Sequence, residues 1–76
     1  MPEKLQILYM QTRLVRLASE KWQIPIEKIN TFFQNNGIYH YIAEFWGLFH
    51  IESDEAVLEE IENHLSSKGV KIWSEN

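Results

Sequence analysis

The chain has 76 residues, 45% of them hydrophobic and 13% aromatic, with no cysteine and a formal net charge of −4. That length fits one domain, which buries only ~60% of its extended surface, so every large side chain counts towards a marginal stability. Without cysteine there are no disulfides or thiolate metal sites, and a reducing cytoplasm is the expected setting; no apolar run approaches the ~20 residues that cross a bilayer.

The charge is unevenly placed. Residues 1–28 hold Lys4, Arg13, Arg16, Lys21 and Lys28 against three carboxylates, a balance of +2, whereas residues 29–76 hold Lys68 and Lys71 against eight, a balance of −6. That polarity disfavours nucleic acid and anionic membrane, whose binders need a concentrated basic face. A basic protein partner, or self-association of opposite ends, suits it better. The opening MPEKLQILYMQTRL carries an acid and lacks a signal-peptide cleavage pattern, so it is expected to be structural.

Four helices with a short extended tail are expected, making a compact all-α domain. The first covers about 3–22, with Ile7, Met10, Leu14, Leu17 and Ala18 on one side, widened by Leu8, Val15 and Trp22; Arg13, Arg16 and Glu20 face away. The second covers about 25–36. Pro25, lacking an amide hydrogen, fits a first turn; Ile26, Ile29 and Phe33 line one side, and Asn36 with Gly37 closes the helix.

The third helix, about 38–50, lies in a stretch, 32–50, that holds seven of the ten aromatic residues. Ile38, Tyr41, Ile42, Phe45 and Phe49 form a core stripe, and Tyr39, Ala43, Trp46 and His50 form a second one ~110° away. A helix apolar on two sides must be wedged centrally or covered by a partner. The fourth, about 53–68, starts at Ser53 as N-cap, with Asp54 and Glu55 against the positive end of the helix dipole, and ends at Gly69. Val57, Leu58, Ile61 and Leu65 make its apolar stripe. The tail, 70–73, alternates apolar and polar and suits an extended piece.

Chemistry-bearing patterns are sparse. His40 and Glu44 stand i,i+4, a spacing used by helical metal ligands and acid–base pairs, but zinc needs three or four ligands and His50 lies nearly a quarter turn from His40. His64 could join them only through tertiary packing. No serine has a histidine and a carboxylate placed near it by spacing, and the three glycines form no phosphate loop. The second and third helices outline a helix-turn-helix, yet the would-be recognition helix has no Arg or Lys to contact bases or phosphates. Glu55, Glu59 and Glu62 form an acidic ridge on the fourth helix, suited to solvent or to a basic partner.

From Trp22 to Gly69 the landmarks resemble a family of short bacterial proteins of unknown function. They are Phe32-Phe33, Gly37, Tyr41-Ile42-Ala43-Glu44-Phe45-Trp46, Leu48-Phe49-His50-Ile51-Glu52-Ser53, and Ile61, the LFHIES run being the most specific. The resemblance implies no catalytic residues. It implies a setting beside an ADP-ribosyltransferase-like protein, in an arrangement similar to toxin–antitoxin pairs. The expectation is therefore a non-enzymatic interaction module, antitoxin-like, with Tyr39, Trp46, His50, Glu55, Glu59 and Glu62 as partner-binding residues and no cofactor or metal. A structural homodimer, joined through the third helix or the tails, and a small metal-dependent enzyme using His40 and Glu44 are the alternatives.

Overall fold

In the computed structural model, which describes residues 1–72, the first apolar stripe makes α1 (Glu3–Trp22) and buries Met10, Leu14, Val15 and Ala18. The helix stops without a glycine. Gln23 takes the left-handed conformation, φ 58°, and the Ile24 N–H returns to the Ser19 carbonyl at 3.2 Å, satisfying a carbonyl the helix end would otherwise orphan. The Ser19 hydroxyl donates to the Ile24 carbonyl at 2.6 Å and tightens the same turn. Pro25 then caps α2 (Ile26–Asn35), which buries Ile29 and Phe33. Gly37, φ 67°, reverses the chain into α3 (Ile38–Glu44).

The single helix expected over 38–50 is two. Phe45 leaves helical geometry at φ −102°, ψ 13°, and the ladder restarts from its carbonyl, which accepts from Leu48 and Phe49, both at 2.9 Å, to form α4 (Trp46–Phe49). The break falls where the two sides of the segment meet different helices: Tyr41, before it, stacks on His64 of α5, and Trp46 and His50, after it, border Gln6, Tyr9, Met10 and Arg13 of α1. Gly47, a poor helix former, lowers the cost of interruption.

The final helix, α5 (Asp54–Ser67), follows its local signals closely. The Ser53 hydroxyl accepts from the Ala56 N–H at 3.1 Å, satisfying a first-turn amide. At the other end Gly69, φ 76°, permits two returning bonds, Gly69 N–H to Ser66 O and Val70 N–H to Leu65 O, each 2.9 Å. This Schellman closure sets Val70 back on the core beside Leu65. Val70 and Ile72 are half-buried there; Trp73, the last residue of the expected tail, lies outside the described residues.

The five helices of the described residues surround one core, in which Leu14, Ile29, Phe33, Ile38, Ile42 and Ile61 are fully enclosed. No buried side-chain polar atom among the described residues lacks a hydrogen-bond partner. The radius of gyration, 11.9 Å, is close to the ~11 Å expected for a compact chain this long. No helix of the described residues is long and apolar enough to cross a membrane.

The charge polarity is partly resolved inside the molecule. Arg13 of α1 pairs with Asp54 of α5, Nε to Oδ2 at 2.8 Å. Lys21 Nζ and Trp22 Nε1 both reach the Glu62 carboxylate, at 3.1 and 2.7 Å. Opposite ends meet, but within one chain.

Candidate interaction surface

Tyr39 is tied down on three sides. Its ring packs edge-on against Phe33, centroids 5.6 Å apart, its hydroxyl donates to Asn30 Oδ1 at 2.6 Å, and its carbonyl accepts from Gln11 Nε2 at 2.9 Å. Burial pushes its pKa above the ordinary tyrosine value. This residue joins α3 to α2 and α1, and only part of its ring edges an open groove of about 670 Å³ beside Leu8, Val15 and Ile26. Leu8, expected to widen the buried stripe, is 51% exposed in that groove, and Ile26, expected on the core side, is 47% exposed.

Trp46 and His50, one turn apart across α4, are stacked with centroids at 4.4 Å and planes at 16°. His50 Nδ1 lies 3.0 Å from the Trp46 carbonyl; since a carbonyl only accepts, Nδ1 carries the proton and Nε2 is left as an acceptor in the neutral ring. The pair lines a shallow cavity of about 230 Å³ with Gln6, Tyr9, Met10 and Arg13 of α1. Trp46 is half-buried and His50 exposed.

The acidic ridge is divided. Glu62 is engaged by Lys21 and Trp22, whereas Glu55 and Glu59 are exposed. Glu55 borders a depression shared with Arg13, Arg16 and Glu20. The six residues anticipated as a partner surface are therefore not one patch: Tyr39 belongs to the α1–α2 groove, Trp46 and His50 to the α1–α4 contact, and the carboxylates to α5.

His40 and Glu44 approach within 3.6 Å on an open helix face, their side chains 83% and 59% exposed. No group of three His, Asp or Glu suited to a metal occurs among the described residues. His64 is elsewhere, stacked on Tyr41 at 4.0 Å and 12°. That contact continues through Tyr41–Phe45 and Phe45–Phe49, at 5.1 and 6.1 Å, as an aromatic ladder along the α3–α4–α5 junction. Burial, and secondarily the Glu60 charge, raise the Tyr41 pKa.

The ladder leads to a surface the spacing argument missed. Phe45, placed in the core stripe from sequence, is 38% exposed, and Leu48 and Ile51 beyond it are 62% and 76% exposed. Helical spacing explains the division: Phe49 points inward, Trp46 and His50 lie on the flank facing α1, and Phe45, Leu48 and Ile51 lie on the other. A signal was present in the sequence. Leu48 fitted neither stripe of the expected helix and Ile51 lay just past its end, so neither stripe would have covered them.

An all-helical domain with one core and a bare apolar corner is the class these observations define. The chain belongs to DUF3791, a family of proteins of unknown function, whose model matches residues 9–68. No curated protein and no solved structure matches it.

Proposed function

We propose that this chain is a non-enzymatic protein-interaction module and, following the resemblance, a small antitoxin-like regulator of an ADP-ribosyltransferase-like partner in a bacterial cytoplasm. One observation carries the reading: large apolar side chains remain in solvent around a core that is already closed. Phe45, Leu48, Ile51, Leu8 and Ile26 are all at least 38% exposed, while the fully enclosed residues form one cluster. Exposed apolar surface of that kind marks interaction sites. The stacked Trp46 and His50 on the α1 flank, and Glu55 and Glu59 on α5, supply further aromatic and anionic contacts elsewhere on the surface.

The direct test mixes the purified chain with an ADP-ribosyltransferase-like protein encoded beside it. A complex that co-elutes on gel filtration and suppresses ADP-ribosyl transfer at equimolar ratio is expected. If Trp46 is an anchor, Trp46→Ala weakens that complex by about 2 kcal/mol or more. Unaltered transfer with no complex would remove the regulator reading.

A homodimer through the same corner is the weaker reading. A two-fold contact sets the patch against itself, and here it would oppose Glu44 and Glu52 to their own copies.

A further inference from the structure

The interaction reading leaves open which surface binds and what it binds; the charges around α4 address both. Between Lys28 and Lys68 the sequence holds no lysine or arginine. Of the carboxylates in that interval, Asp54 and Glu62 are met by cations from α1, and Glu44 lies near His40. Glu52, Glu55, Glu59 and Glu60 have no lysine or arginine partner among the described residues. The apolar corner is bracketed in the chain by carboxylates, Glu44 immediately before Phe45 and Glu52 immediately after Ile51, and Glu60 is near enough to act on Tyr41, whose ring adjoins Phe45.

Within the corner, Phe45 is preorganised. Phe45 is held between Tyr41 and Phe49 at ring distances of 5.1 and 6.1 Å, so little side-chain freedom remains to be lost on docking. By contrast the α1–α2 groove has Arg16 on one wall and Glu27 on the other, a mixed rim that selects no sign of partner.

Resting on the interaction-module reading, we infer that Phe45, Leu48 and Ile51 form the docking site for a protein segment with an apolar centre and a rim of lysine or arginine. The apolar centre covers Leu48 and Ile51. The cationic rim meets Glu44, Glu52 and Glu60, charges that repel nucleic acid, anionic lipid and a second copy of this face.

The probes are two helical peptides of ~14 residues, the length at which isolated helices become marginally stable. Both carry the same leucine stripe, flanked by lysines in one and by glutamates in the other, and each is titrated into the isotope-labelled full chain while amide shifts are followed. The lysine peptide saturates with shifts centred on Phe45, Leu48 and Ile51, the glutamate peptide binds at least about tenfold more weakly, and the difference shrinks at high salt. Leu48→Asp and Ile51→Asp each cost about tenfold or more in affinity with melting unchanged, whereas Leu8→Asp leaves binding intact. Equal binding of both peptides, or indifference to Leu48→Asp, overturns the assignment. Shifts collecting on Leu8 and Ile26 overturn it too, but leave the interaction reading standing. If neither peptide saturates at any surface up to millimolar concentration, the assignment falls, and the interaction reading is decided separately by the complex with the ADP-ribosyltransferase-like protein.

Discussion

Along the seam between α1 and α5, apolar residues are sealed and charges meet their opposites: Leu14 and Ile61 have no exposed surface, Arg13 meets Asp54, and Lys21 and Trp22 share Glu62. At the α4 corner the same kinds of residue are left unsettled, with Leu48 and Ile51 more than half exposed and neighbouring carboxylates in the chain without lysine or arginine partners among the described residues. The contrast separates what holds the fold from what is available to something else. In a domain this small, leaving such side chains in water forgoes roughly 1.5–3 kcal/mol of burial for each, a sizeable share of a total near 5–15 kcal/mol.

Four substitutions sharpen or break that contrast. The largest effect belongs to the core: Phe33→Ala, at a site with no exposed surface, is expected to cost about 3–5 kcal/mol in urea unfolding, enough to unfold much of the population. A loss below about 1 kcal/mol would show the core to be looser than described. Next comes the seam. Trp22→Phe keeps ring contacts with Phe32 and Phe33 but deletes the donor to Glu62, and should cost about 1.5–3 kcal/mol.

Third is Tyr39→Phe, which removes the 2.6 Å bond to Asn30 and should cost about 0.5–1.5 kcal/mol. It also has a pH signature. Tyr39 and Tyr41 titrate above 10.0 in the folded chain, so the folded state holds their protons more tightly than the unfolded one. Their contribution is complete below the ordinary tyrosine pKa and is lost as pH rises through the raised values. Stability should therefore decline above pH about 10, less steeply in Tyr39→Phe; an identical alkaline profile would contradict the burial of that hydroxyl. Smallest of all, Leu48→Ser should leave stability within about 0.5 kcal/mol of the parent. A larger loss would mean the corner is part of the core, and the contrast would fail.

Much of the architecture was legible in local chemistry. Ser53, Gly37 and Gly69 act at the helix ends where their conformational preferences place them, and the stripes of α1 and α5 are buried largely as their spacing requires. The break at Phe45 was not legible, because no residue there forbids a helix; it falls between Tyr41, stacked on His64 of α5, and Trp46, which borders α1. The exposed corner was not legible from the stripes. Periodicity identified two apolar sides on 38–50, and the structure buries Ile38, Ile42 and Phe49 of one and half-buries Tyr39 and Trp46 of the other, whereas the exposed Leu48 and Ile51 belong to neither. Ile26 shows the same limit on α2, sharing a helical side with Ile29 and Phe33 yet remaining at the groove edge.

The lack of lysine and arginine between Lys28 and Lys68 also decides which reagents can see this half of the molecule. A trypsin-type protease finds no cleavage point from Ile29 to the end of α5, so a protection experiment with it would be blind to anything seated at Leu48. Amine-reactive cross-linkers would be equally silent. Coupling chemistry aimed at the carboxyl groups of Glu52 or Glu60, or a photoreactive side chain installed at position 48, is what would record the encounter.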